Sequence, residues 1–508
     1  MEAVAESTYG GRASEEATVG CTQVKTVLGG AAADHTAPAQ RSTPEGAPRR
    51  QGAREPAART YARALPIVPV RARGLTIEGA DSRRYLDCLS GAGTLALGHN
   101  HPVVLEAIRK VLDSGAPLNA LDMATPVKDA FLDELVRTLP PSLAERARVR
   151  FCGPAGSEAV ETAWALARAA TGRSGLLTFT GAGRGGTAGV LDDPSANTRD
   201  TRMARLPYPQ DYRCPFGVGG EHGADLSARW TASLLDDPGS GMPLPAGILI
   251  EPVQGEGGVI PAPDSWLRRM RQLTSDRSVP LIVDEMQTGV GRTGAFWAVE
   301  HSGVTPDVMV LSNAIGGSLP LAVVVYRDDL VTREPGTPAD AFPGNQLAMA
   351  AGTATLAHVR ENALADRAAT LGARLLSQLR QLASDFGCVG DVRGRGLMIG
   401  VELVDPDGEG EPGFTGGTGT AEGGVAASVV PGSERRPLPA APELASAVQR
   451  ECLRRGLIVG LGGPHASVVQ LLPPLTITDE QAAAVLDRLT DAVRAAARCR
   501  GGGAAAAP

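Results

Sequence analysis

Asp284 closes the apolar run Leu281-Ile282-Val283, and an ionised carboxylate at the end of a buried strand needs a partner. It can serve a cationic or N–H-bearing ligand, or it can cap the turn that follows. The segment Cys152-Gly153-Pro154-Ala155-Gly156-Ser157 has the order strand, Gly-rich turn, helix start. Backbone N–H groups at such a helix N-terminus suit a phosphate, and Ser157 adds a hydroxyl. The alternative is an N-cap without a ligand. A second strand-like run, Val308 to Leu311, leads into Ser312-Asn313-Ala314-Ile315-Gly316-Gly317. The amide of Asn313 forms no imine and is no general base near neutral pH.

These residues need a frame that brings strand ends together. Short apolar runs bounded by breakers predict buried strands at Val149–Cys152, Leu176–Phe179, Gly247–Val253, Pro280–Asp284, Val308–Leu311 and Leu321–Tyr326. Runs apolar on both faces read as parallel strands with helical crossovers. Helical spacing covers Ser157–Ala170 and Ser265–Asp276, and another helix starts near Pro442. Ligands in such a sheet sit at the carboxyl ends of the strands. The expected architecture is α/β, a large domain with a mostly parallel sheet plus a smaller α+β domain. Residues 1–58 read as a disordered tail, 59–115 as an N-terminal part of the small domain, 116–351 as the large domain and 352–500 as the C-terminal small domain. Biased composition marks a flexible insertion at about 405–438, and 501–508 reads as a frayed end.

Composition bounds the function classes. The chain has 508 residues, 43% hydrophobic and 21% charged, with a formal net charge of −7. That balance gives no reason to expect nucleic acid or an anionic membrane as a partner. Seven scattered cysteines without a C-x-x-C pair point to thiols in a reducing cytosol rather than a metal site or disulfide frame. No secretory signal and no membrane-spanning run is evident, so a cytoplasmic location is expected. Gly181-Ala-Gly183-Arg-Gly-Gly186 formally matches a dinucleotide-binding fingerprint, but Pro194 stops any helix early and no βαβ unit follows.

The run Asp284-Glu-Met-Gln287-Thr-Gly-Val-Gly291-Arg292-Thr293-Gly, with the segment around Asn313, resembles the active-site core of the fold-type I, class III aminotransferases, which use pyridoxal phosphate (PLP). Within that family the chain is most similar to diaminobutyrate–2-oxoglutarate transaminases. The similarity runs through Gly91–Pro102, Leu121–Asp129, Tyr208–Phe216, Glu251–Ile260 and Gln449–Gly456, and covers roughly residues 59–497 outside the insertion. It implies a PLP-transferase fold, amino transfer between 2,4-diaminobutyrate- or glutamate-type amines and 2-oxo acids, and a homodimer. It also implies that Gly156 and Ser157 hold the PLP phosphate, that Asp284 binds the pyridine nitrogen, and that Gln287 lies near the ring hydroxyl.

The departures fall on the chemistry. Asn313 stands where the family has its Schiff-base lysine. Gly183 replaces the ring-stacking aromatic, and Ala341 the threonine lent to the neighbouring subunit's phosphate. Gln470 takes the place of the arginine that binds the substrate carboxylate, which leaves Glu256, that arginine's partner in the family, as an unpaired acid or a residue facing water. The resemblance therefore implies a degenerate transaminase with weak or absent PLP binding. Two other readings are non-covalent use of PLP or its amine form, and a scaffold paired with an active relative. Activity through another lysine would have to use Lys25, Lys110 or Lys128, the only lysines in the chain.

Overall fold

The computed structural model describes residues 65–120, 123–182, 203–330, 344–408 and 437–501. The expected N-terminal tail, the greater part of the insertion, Gly183 and Ala341 lie outside these residues. The chain divides into Met1–Val68 and Pro69–Pro508, and only the second unit is described below.

Strands β1 (Pro69–Arg73), β2 (Thr76–Gly79) and β3 (Arg84–Asp87) form an antiparallel meander, which β15 (Leu457–Ile458) joins in parallel beside β3. The site is framed by a seven-stranded sheet of β4 (Ala147–Cys152), β5 (Leu176–Phe179), β6 (Met203–Leu206), β7 (Gly247–Ile250), β10 (Leu281–Asp284), β11 (Val308–Leu311) and β12 (Ala322–Arg327). Its order is β4-β12-β11-β10-β7-β5-β6. Helices named below are α1 (Pro102–Asp113), α2 (Pro126–Thr138), α3 (Gly156–Thr171), α4 (Gly220–Asp236), α5 (Asp264–Asp276) and α6 (Gln346–Glu361).

Side chains alternate between two cores, as a pleated sheet requires. Ile282, Val308, Val310 and Val324 face Ala159, Val160 and Ala163 of α3. Leu281, Val283, Met309, Leu311 and Val323 face the opposite core with Phe131, Trp266 and Met349. Both faces are covered, which is why these strands read as continuous apolar runs.

Two expectations are corrected. The run Leu321–Tyr326 is not a parallel strand: β12 pairs antiparallel with both β11 and β4. A strand apolar on both faces carries no mark of its direction. The expected strand Gly247–Val253 is broken at Glu251-Pro252, because proline cannot donate to a ladder; Val253–Gln254 instead forms β8 and pairs with β9 (Ile260–Pro261).

A third sheet holds β13 (Val389–Arg395), β14 (Met398–Leu403), β16 (Gly460–Gly462) and β17 (Val468–Leu471) in the order β13-β14-β17-β16. It is antiparallel throughout. Buried Arg292 ties it to the central sheet by donating to the carbonyls of Leu397 and Pro473.

Candidate active site

Strands β5, β7, β10 and β11 run in the same direction, so their carboxyl ends share one edge. A cavity of about 280 Å³ opens there, lined among others by Thr178, Arg205, Tyr208, Glu251, Gln254, Glu256, Asp284, Met286 and Gln287. Its volume lies at the lower edge of the range of small-molecule sites, roughly 300–1,000 Å³.

Asp284 is one of the lining residues. Its carboxyl accepts from the Met286 N–H at 2.9 Å, and no cation pairs with it among the described residues. Burial, and next the negative charge of Glu251, push its pKa well above the usual carboxylate range. Such a group holds a proton or calls for a cationic or N–H partner. Glu251 follows directly on β7, beside the end of β10 at Asp284, and it accepts from Gly255 N–H at 3.1 Å. In the sequence Glu251 stands out only as part of a matching segment, although its place after an apolar run is the same kind of signal that marks Asp284.

Gln287 lines the cavity and lies against Gly255, where a Cβ would collide with its Oε1. From the other side Gln470, on β17, donates its Nε2 to the Gly255 carbonyl at 2.9 Å. The Gln470 side chain is buried and crowds Gly460 and Gly462. Its amide is thus committed to backbone. Glu256, one residue after Gly255, is exposed at the cavity rim, and its carboxylate has no partner among the described residues.

Helix α3 presents its N-terminus beside this edge. Gly156 is required there, since a Cβ would strike the Met286 thioether. Ser157 is half-buried, and its hydroxyl has no partner among the described residues. Glu158 folds back toward the Ala155 N–H at 3.3 Å. Neither Gly156 nor Ser157 is among the lining residues of the cavity; Met286 bridges the two regions.

Asn313 follows β11 with φ +58°, a left-handed conformation that asparagine tolerates better than most residues. Its Nδ2 donates to the Met286 carbonyl at 3.4 Å. That bond places Asn313 next to Asp284's own turn, across the β10–β11 pair. Val290 at φ +57° and Val259 at φ +55° are β-branched residues in the same unfavourable region, in the turns after β10 and before β9.

The aminotransferase class-III family profile matches residues 57–493. The chain belongs to the class III aminotransferases. Among its relatives is the diaminobutyrate–2-oxoglutarate aminotransferase of Rhizobium meliloti, 46% identical over 88% of this chain and 91% of that protein. The protein of the same name from Haemophilus influenzae is 39% identical over 87% of this chain and 94% of its own. A PLP-bound amine transaminase from an uncultivated Pseudomonas species superposes with a TM-score of 0.70 at 28% identity, covering 85% of this chain and 95% of that one. Plasmodium falciparum ornithine δ-aminotransferase has the same fold, with a TM-score of 0.65 at 23% identity over 86% and 94% of the two chains. Class III aminotransferases use pyridoxal phosphate. Among the described residues no helix is long and apolar enough to cross a membrane.

Proposed function

We propose that this chain is a diaminobutyrate–2-oxoglutarate transaminase-like protein whose site no longer carries out amino transfer. What supports the reading is Asn313, which the sequence resemblance sets at the family's Schiff-base lysine. Its amide has no lone pair basic enough to take a proton, and its N–H already serves the Met286 carbonyl. Loss of a general base costs on the order of 10²–10⁴ in rate. Loss of the covalent amine removes the exchange route as well.

The residues present fit the non-covalent contacts of PLP. Asp284 offers a half-buried carboxyl, without a cation partner among the described residues, suited to a ring N–H. The amides of α3 with Ser157 suit the phosphate, and Gln287 the ring hydroxyl. When bound, PLP supplies an electron sink. Gln470 does not fit the substrate side: a neutral amide turned to Gly255 cannot offer the charged fork that an α-carboxylate favours. Position 313 does not fit the covalent contact.

The cation-free Asp284 also favours a second reading, in which PLP or its amine form is used without covalent attachment. Under either reading the chain works as a cytoplasmic homodimer, with the small- and large-domain division at 59–115, 116–351 and 352–500. The ligand is a small amino acid or 2-oxo acid. The test is a PLP titration followed by absorbance, together with an assay of glutamate formation from 2-oxoglutarate and diaminobutyrate. Weak, fully reversible binding without glutamate supports the first reading, and turnover with reversible binding the second. Turnover with PLP retained through gel filtration would overturn both.

A further inference from the structure

Gln254, on β8, lines the cavity and is only 1% exposed. Its Nε2 donates to the Thr180 carbonyl at 2.9 Å, which assigns the nitrogen and oxygen ends of the amide. The Oε1 is buried and receives no hydrogen bond among the described residues. A buried amide oxygen left without a donor is destabilising, and native proteins leave few of them. Two glycines wall this oxygen off. A Cβ on Gly181 would stand 2.5 Å from it, and one on Gly257 2.6 Å. Both positions bring backbone, not side chains, against the amide. The cavity is the side from which a donor can still come.

The charge of the lining has one dominant sign. Its charged residues are Glu251, Glu256, Asp284 and Arg205, so three carboxyl groups stand against one guanidinium. Lysine and histidine are absent from the lining among the described residues. Gln470, whose amide is turned to the Gly255 carbonyl, adds no charge. A ligand with two carboxylates meets like charge here, whereas an ammonium meets opposite charge and an orphan acceptor. Low-dielectric walls make that difference larger than in water.

We propose that Gln254 determines the specificity of this cavity: its Oε1 accepts a hydrogen bond from the ammonium group of the ligand, with the rim carboxylate of Glu256 supplying opposite charge, so that cationic amines bind in preference to 2-oxo diacids. The inference rests on the proposed small amino acid or 2-oxo acid ligand and narrows it to the amine side. An ammonium has three N–H donors, and one of them satisfies Oε1. With a charged donor that bond is stronger than a neutral one. No charged fork stands at position 470, so the α-carboxylate is not required. 1,3-Diaminopropane, which is 2,4-diaminobutyrate without its carboxylate, should still bind.

The experiment is calorimetric titration of the full-length protein, without added PLP and near neutral pH, with 1,3-diaminopropane, 2,4-diaminobutyrate and 2-oxoglutarate. Both amines should occupy one site per chain, with an affinity at least about tenfold above that of 2-oxoglutarate. Gln254→Met removes the acceptor at similar volume and should weaken the amines about ten- to a hundredfold, while 2-oxoglutarate binding changes little. A merely structural role would weaken all three ligands alike. Glu256→Gln, at the exposed rim, should weaken the amines several-fold, and less so in high salt. If Gln254→Met does not fold, Gln254→Glu replaces it: the acceptor is kept and charge is added, so the amines should bind at least as well as before. Three results would overturn the proposal: 2-oxoglutarate binding as tightly as the amines, no amine binding in the millimolar range, or amine affinity unmoved by Gln254→Met or Glu256→Gln. Loss of amine binding in a folded Gln254→Glu protein would do so too. The reading of Asn313 rests on turnover, not on binding, so the two can fail separately.

Discussion

Replacing Asn313 separates backbone strain from chemistry. The residue has φ +58°, and its hydrogen bond to the Met286 carbonyl is long, at 3.4 Å. A left-handed conformation costs an ordinary L-residue roughly 1–2 kcal/mol, a penalty that asparagine escapes in part and glycine fully. The hydrogen bond adds about 0.5 kcal/mol, the low end of its range for such a geometry. Asn313→Ala should therefore lose about 1.5 kcal/mol, while Asn313→Gly should lose about 0.5 kcal/mol or less. Asn313→Lys should fall near the alanine variant in stability. Urea denaturation midpoints at constant slope measure all three. The same Asn313→Lys protein, supplied with PLP, should gain covalent attachment at position 313 but little transamination. Gln470 still turns its amide to Gly255, and Gly183 and Ala341 still lack the stack and the phosphate hydroxyl. An alanine variant as stable as the glycine variant would refute the strain argument. Robust turnover by Asn313→Lys would refute the claim that the other positions matter.

Adding Gln470→Arg to Asn313→Lys should raise turnover over Asn313→Lys alone. By itself Gln470→Arg should lower stability by about 1–2 kcal/mol, because it breaks the bond to Gly255 and buries a charge beside Gly460 and Gly462. Glu285, buried, is pushed from 4.5 up to about 7, chiefly by burial. A raised carboxyl favours the folded state in its neutral form, so its contribution is complete below about pH 4.5 and is lost as the pH rises through about 7. Glu285→Gln should flatten the fall in stability over that window by up to about 3 kcal/mol, as denaturation midpoints against pH would show. Light scattering during gel filtration should give twice the mass of one chain; a monomer at micromolar concentration would contradict the proposed homodimer.

Much of the frame was legible before the structure. The runs at Leu281, Val308 and Leu176 became strands, because short apolar stretches bounded by breakers have few other buried forms. Asp284 was legible for the same reason: a carboxyl at the end of such a run stands out. The direction of β12 was not legible, since a strand covered on both faces reads alike in both directions. Nor was the Glu251–Pro252 break expected inside the apolar run. The commitment of Gln470 to the Gly255 carbonyl depends on a contact between residues 215 apart in the chain, which no local pattern encodes. The left-handed turn at Asn313 left only a weak trace in the residue type itself.

The central claim is that the site with Asn313 does not transfer amino groups, and steady-state turnover tests it most directly. Purified full-length protein, saturated with PLP, is given diaminobutyrate and 2-oxoglutarate, and glutamate is measured beside an active class III relative under the same conditions. The account predicts a rate lower by at least about 10²–10⁴, the cost of a lost general base alone. Glutamate formation within tenfold of the relative's rate would contradict it.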